Sequence, residues 1–282
     1  MRSWRPAASK RRRMTDSRRG AGPTVVVTRP RAQADALAQA VMASGRTAEI
    51  LPLLDIGPAP DAAPLRAALA ELDQFALAAF VSPNAVDAAF AHVDRWPAGV
   101  PLAIVGEGSR AALARHGVAA PGHTIFSPSD PATSDSEHLL QNLDLASYAG
   151  RRVLIVRGDG GRELLADSLR AAGARVEAVA AYRRSIPPLT PALGARLRAL
   201  LAQPNDWIIT SSEALRGLDD LVRRLEPDAG SRDDDLLARL YRQRLVVPHA
   251  RIAETARALG FGRVLCTGSG DARLIAALQS QE

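Results

Sequence analysis

RRVLIVRGDGGRELLADSLRAAGARVEAVAAYRR, residues 151–184, reads as strand, glycine-rich turn, helix, second strand and a Tyr-Arg-Arg exit. Val153–Val156 is a short apolar run of the buried-strand type, and Gly158-Asp159-Gly160-Gly161 interrupts it. Leu164, Leu165, Leu169 and Ala172 then recur at helical spacing. Gly173 closes the helix, and Val176–Ala181 starts a new strand. The same order appears in VVVTRPRAQADALAQAVMASGRTAEILPLL, residues 25–54. Arg29 precedes Gly45 by 16 residues, and Arg157 precedes Gly173 by the same 16.

The repeat extends beyond this unit. Phe80-Val81-Ser82-Pro83-Asn84-Ala85-Val86 matches Ile209-Thr210-Ser211-Ser212-Glu213-Ala214-Leu215 at a shift of 129. Leu102–Val105, with Gly117 fifteen residues after Leu102, matches Leu245–Pro248 with Gly260. Further strands are expected at about 48–54, 76–81, 124–126, 207–209 and 264–266, with helices between them. Gly57-Pro58-Ala59-Pro60 and Ile186-Pro187-Pro188 read as linkers, and Gly106-Glu107-Gly108-Ser109 as a turn. Alternation at this spacing predicts an α/β chain of two similar parallel sheets flanked by helices. Taken alone, the repeat divides the chain near Gly150.

Composition narrows the chemistry. Hydrophobic residues make up 47% of the 282 residues and aromatics only 4%, so the core is expected to be Ala, Leu and Val. The net charge of +6 is concentrated in the first 19 residues, which hold eight Lys/Arg and one acid, Asp16. The remainder, with 28 basic and 29 acidic residues, is near neutral. Residues 1–23 are therefore expected to be a disordered basic tail, with Met14 an alternative start, rather than a nucleic-acid arm or transit peptide. No signal peptide or membrane span is read there. Lys10 is the only lysine, which argues against a Schiff-base or phosphate-loop lysine in the body. Cys266 is the only cysteine, so disulfide and CxxC chemistry are absent and a reduced, cytoplasmic compartment is expected.

The strand ends share one chemical character. Ser82, Gly106–Ser109, Gly158–Gly161, Thr210–Ser212 and Thr267–Ser269 each lie between a strand and a helix. In parallel sheets such turns border the ligand crevice, and their free N–H groups suit anions. Taken singly each reads first as a plain helix cap, and it is five such turns facing one crevice that point to an anionic ligand. Gly106-Glu107-Gly108-Ser109-Arg110-Ala111 resembles a dinucleotide fingerprint, but no acid ends the next strand, so no nicotinamide cofactor is expected. Five scattered histidines lack metal spacing, and no metal or other cofactor is expected. Arg29 and Arg157 occupy matching strand ends, where they can bind carboxylates or serve as structural pairs. His249 follows a strand directly, as a ligand contact or a cap.

These residues resemble the uroporphyrinogen-III synthase family. The resemblance rests on Val27-Thr28-Arg29-Pro30, Phe80–Val86, Val156-Arg157-Gly158-Asp159-Gly160-Gly161-Arg162-Glu163, Val179-Ala180-Ala181-Tyr182-Arg183-Arg184 and Ile209–Leu215, in family order. It implies two α/β domains joined by a two-stranded hinge, one formed by 24–52 plus 185–282 and the other by the inserted 53–184. It further implies a cofactor-independent hydro-lyase of haem biosynthesis. Such an enzyme cyclises hydroxymethylbilane with inversion of ring D, as a cytoplasmic monomer without a nucleic-acid or membrane partner. Tyr182 matches the family tyrosine that helps the hydroxyl leave. Arg29, Ser82, Ser109, Arg157, Gly158, Gly160, Thr210, Ser211, Ser212 and His249 are the expected substrate contacts. Where many members carry Gly-x-x-Thr, this chain has Pro248-His249-Ala250-Arg251, leaving His249 and Arg251 as candidate replacements. The competing expectation is a two-domain tetrapyrrole or anion sensor without turnover.

Overall fold

The computed structural model describes residues 22–130, 135–225 and 235–280, and the expected basic tail up to Ala21 lies outside them. The strands are β1 (Val25–Val27), β2 (Ala48–Ile50), β3 (Asp55–Pro58), β4 (Leu77–Phe80), β5 (Leu102–Ile104), β6 (Ile125–Phe126), β7 (Arg152–Gly158), β8 (Arg175–Ser185), β9 (Asp206–Ile208), β10 (Arg244–Val247) and β11 (Arg263–Cys266). The helices are α1 (Arg31–Ala43), α2 (Ala63–Ala70), α3 (Pro83–Phe90), α4 (Glu107–Arg115), α5 (Ser136–Leu140), α6 (Leu164–Ala171), α7 (Pro191–Leu201), α8 (Ser212–Leu225), α9 (Leu236–Tyr241), α10 (Ala250–Leu259) and α11 (Asp271–Gln279).

Two sheets result. One runs β2-β1-β9-β10-β11 with every neighbour parallel. The other runs β3-β8-β7-β4-β5-β6, parallel except for β3, which pairs antiparallel with the far end of β8. The sequence repeat is visible in these orders. β1-α1-β2 and β7-α6-β8 occupy matching places, β9 matches β4, β10 matches β5 and β11 matches β6. A boundary near Gly150 would nonetheless cut the six-stranded sheet between β6 and β7. Matching units stand in permuted chain order, so the shift alone misplaces the division.

Each sheet is covered on both faces, which explains strands apolar at every position. In β1, Val26 packs with Trp207, Leu245 and the α8 and α10 residues Leu218 and Ile252, whereas Val25 and Val27 face Leu37, Val41 and Leu274 of α1 and α11. In β4, Ala78 and Phe80 face α3 and α4 through Val86, Ala112 and Leu113, and Leu77 and Ala79 face α5 and α6 through Leu139, Leu165 and Leu169. Each Leu, Val or Phe fully buried this way contributes about 1.5–3 kcal/mol relative to exposure.

The connection between the sheets departs from the linker reading. Gly57-Pro58, expected as a loop, belongs to β3, paired with Arg183 and Tyr182 of β8. Proline is tolerated there because β3 is an edge strand. β8 is eleven residues long, so the Tyr-Arg-Arg exit is itself strand. Two segments, Leu51–Leu54 and Ile186–Thr190, then cross between the sheets. Leu51, Leu53 and Leu54 are buried in the core of the five-stranded sheet, with Ile186 and Leu189 packed against it. The expected Gly106–Ser109 turn is also shorter than read, because α4 starts at Glu107.

Candidate functional site

Each sheet has one place where the chain reverses its direction of sheet building, between β1 and β9 and between β4 and β7. Crevices open outside the carboxyl ends of parallel strands at such points. A cleft of about 420 Å³ spans both, with Ser82, Arg157, Gly158 and Tyr182 on the six-stranded side and Ser211, Ser212, Arg216 and Arg251 on the other.

Tyr182 is only 4% exposed, yet it lines the cleft. Its hydroxyl oxygen accepts a hydrogen bond from Ser82 Oγ at 3.0 Å. Ser82 is also the N-cap of α3, its Oγ accepting from the Ala85 N–H at 3.1 Å. The capping and functional readings of this serine thus hold together. Gly158 makes room for the ring. A Cβ there would stand 2.9 Å from Tyr182 Cζ and 3.1 Å from its hydroxyl oxygen. An irregularity at Arg157/Gly158 shifts the pairing so that Gly158 faces Tyr182, and the Asp159 N–H reaches the Tyr182 carbonyl at 2.8 Å. Gly160 and Gly161 carry φ of 80° and 122°, which gives the turn a path that side chains rarely adopt.

Charge is the second feature of the cleft. Five arginines, Arg157, Arg162, Arg184, Arg216 and Arg251, line it against two acids, Asp135 and Glu213. Arg157 pairs with Glu163 at 2.6 Å, and Arg162 pairs with Glu137. Arg184 Nε reaches Glu213 Oε2 at 2.9 Å, joining β8 to α8 across the cleft. Gln33 Nε2 donates to Asn84 Oδ1 at 2.9 Å, joining α1 to α3. Part-exposed ion pairs of this kind contribute about 0–1 kcal/mol. Burial holds the Arg251 guanidinium below its ordinary pKa, and the charge of Arg162 pushes the same way. Burial also lowers the pKa of His249, with Asp135 opposing and Arg251 and Arg162 assisting. For Asp135 burial acts upward, but the His138 N–H and ring, with His249, bring the carboxylate below its ordinary value.

Of the residues expected from sequence, the cleft brings together Ser82, Arg157, Gly158, Gly160, Tyr182, Ser211 and Ser212. Ser211 Oγ accepts from the Glu213 and Ala214 N–H groups, and Ser212 Oγ accepts from Thr255 Oγ1 at 3.2 Å. Arg29, Ser109, Thr210 and His249 lie outside the lining. Arg29 is turned to Asp271 at 2.7 Å. Ser109 is 2% exposed inside α4, because its turn follows β5, one strand out from the reversal point. The Thr267–Ser269 turn follows the edge strand β11 and is likewise outside. His249 is the N-cap of α10 and makes no side-chain capping bond, while Arg251 lines the cleft. Arg162, Arg184 and Arg216 join the lining beyond the expected contacts. Arg162 and Arg184 stand inside matched motifs. Arg216 carries no local signal, and Arg251 is marked only by a departure from the family pattern; the α8 and α10 placements bring both to the cleft.

Among the described residues no helix is long and apolar enough to cross a membrane, and no three His, Cys, Asp or Glu side chains gather as a metal site.

Residues 35–272 match the family model described as uroporphyrinogen-III synthase HemD. The chain is 33% identical over 261 residues to the uroporphyrinogen-III synthase of Salmonella typhimurium, covering 91% of this chain and 100% of that protein. It is 32% identical, with the same coverage, to that of Escherichia coli. Among solved structures it resembles a mutant uroporphyrinogen III synthase from Thermus thermophilus (TM-score 0.55, 18% identity, 92% of this chain and 96% of that one). It also resembles the uroporphyrinogen-III synthetase of Helicobacter pylori (TM-score 0.57, 15% identity, 91% and 99%). At these identities the structural likeness speaks for the fold.

Proposed function

The chain belongs to the uroporphyrinogen-III synthase family, and from that premise we propose that it closes hydroxymethylbilane to the type III macrocycle with inversion of ring D and loss of water. The observation that carries this reading to the site is the composition of the cleft. Five arginines converge in one cleft of a body whose net charge is close to zero, around a tyrosine hydroxyl hydrogen-bonded to Ser82. A linear tetrapyrrole with an acetate and a propionate on every ring is an anion of that kind.

The substrate supplies the reactivity, and the protein supplies orientation and electrostatics. Tyr182 donates its proton toward the departing hydroxyl, which leaves as water and generates an electrophilic azafulvene. The substituted carbon of ring D attacks it to give a spiro intermediate. This opens and recloses through the other ring D position, and the final aromatisation releases a proton. Arg157, Arg184 and the N–H groups of Gly160 and Gly161 hold carboxylate arms, while Ser211 and Ser212 border the opposite wall. No step in this sequence calls on a cofactor.

In this reading 24–52 with 185–282 and the inserted 53–184 are the two moving units, and the crossing segments 51–54 and 186–190 are the hinge. The enzyme acts as a cytoplasmic monomer on a small molecule, without nucleic acid or membrane. The test is to supply hydroxymethylbilane and identify the isomer. Type III product is expected, and formation of the spontaneous type I product alone overturns the reading.

A further inference from the structure

The five cleft arginines are not equivalent. Arg157, Arg162 and Arg184 each meet a carboxylate of the protein, Glu163, Glu137 and Glu213 respectively. Arg216 and Arg251 line the same cleft and form no ion pair with any described residue. Some structural arginines of this chain are, by contrast, neutralised. Arg46 and Arg244, for example, share the buried Asp206 at 2.6 and 3.5 Å.

The backbone setting sharpens the contrast. Ser212 and Arg216 are four residues apart on α8, so they project from one face, and both line the cleft. Arg251 is the second residue of α10. A cation in the first turn opposes the helix dipole, and stability alone would favour an acid there. Burial and the charge of Arg162 weaken the hold of Arg251 on its own proton and Arg216 acts in the same direction, while Glu137 and Asp135 oppose them without reversing the downward shift. Arg216 and Arg251 facing one cleft repel each other, and a carboxylate between them reverses the sign.

Building on the function proposed above, we infer that Arg216 and Arg251 form a carboxylate-binding subsite on the α8–α10 wall, clamping one acidic arm of the tetrapyrrole. The planar guanidinium fork fits a carboxylate bidentately, and each such bond is charge-assisted. Arg251, rather than His249, is the member of the Pro248–Arg251 segment that meets the substrate. Arg216 and Arg251 are positioning residues. They hold an arm, and the reacting carbons lie elsewhere.

The experiment compares Arg216→Gln, Arg251→Gln and Arg251→Lys with the unsubstituted chain. Each glutamine variant is expected to raise KM for hydroxymethylbilane about tenfold to a hundredfold, with kcat within about twofold. Thermal midpoints should hold or rise, because a repelled cation is gone. Arg251→Lys should recover part of the loss, since it keeps the charge without the fork. A parallel titration follows fluorescence of uroporphyrin, the stable oxidised macrocycle with the same arms, and needs no turnover. Unchanged KM and unchanged uroporphyrin affinity overturn the subsite. So does a fall in kcat at constant KM, or a weakened variant whose thermal midpoint drops in parallel, because those place the arginines in the chemistry or in the fold. Should the unsubstituted chain release only type I product, the proposed function fails, and the titration still judges the subsite by whether the glutamine variants lose affinity.

Discussion

Tyr182 Oη and Ser82 Oγ stand 3.0 Å apart although 100 residues of chain separate them. One is carried on β8 at the junction of the sheets, the other caps the helix after β4, and their meeting point is the floor of the cleft.

Tyr182→Phe removes the phenol proton while keeping the ring that packs against Gly158. Turnover of hydroxymethylbilane is expected to fall on the order of 10²-fold, the usual reach of one proton-transfer group. The single lost hydrogen bond costs about 0.5–1.5 kcal/mol of stability. Steady-state kinetics beside a chemical denaturation curve check this, and full activity would remove Tyr182 from the mechanism. Ser82→Ala should cost about 1 kcal/mol through its cap. Its kinetic effect should be small once Tyr182 is already phenylalanine, because the two act as one unit.

Gly158→Ala tests the seat of the ring. The added methyl would sit 2.9 Å from Tyr182 Cζ, too close for contact, so ring or strand must move. A loss of about 1–3 kcal/mol is expected, together with a kcat below that of the parent. Parental kcat and stability would show that the ring has slack.

Gly217→Ala addresses the crossing segment. A Cβ at Gly217 in α8 would meet Ile186 Cδ1 at 2.2 Å, and Ile186 is the first residue after β8. The isoleucine must change rotamer or lift from the core, lowering stability by about 1–3 kcal/mol. Because this contact seats one of the two crossings, small-angle scattering should also report an altered envelope. An unchanged denaturation midpoint would refute the tight seat.

Acid sensitivity follows from His249. Burial holds its pKa below the ordinary 6.5, so the folded chain binds the proton less tightly than the unfolded chain does. Between the folded value and 6.5 the unfolded state carries more protons, and stability rises with pH. Acidification through about pH 6.5 should therefore destabilise the protein, levelling once His249 charges in the fold as well. Asp135 contributes in a separate window, with stability lost as pH falls below 3.8 through its lowered folded value. His249→Gln should flatten the first slope in thermal midpoints measured across that range, and an unchanged slope would assign it to another group.

Strand ends are legible in the chain because they are local events, an apolar run stopped by glycine or serine. Ser82, Gly158, Gly160, Ser211 and Ser212 are found that way, and all line the cleft. Arg29 and Ser109 obey the same local rule and lie outside it: β5, which leads to Ser109, stands one strand away from the reversal point, and Arg29, at the end of β1 beside that point, is turned to Asp271. Arg216 escapes notice for the opposite reason. It is one of six charged residues on α8, indistinguishable in sequence from a solvent-facing one, and Arg251 stands out only beside the family pattern.

The sequence by itself determined the kind of unit, the pairing of the repeat copies and a chemistry without lysine or paired cysteines, because periodicity and composition are properties of the chain alone. Tertiary structure decided which copies share a sheet and which charges face one another. β1 joins β9 across 180 residues, and Thr28 Oγ1 donates to the Ile208 carbonyl at that seam. Pairing over such distances depends on packing two faces of each sheet at once, which no local pattern encodes.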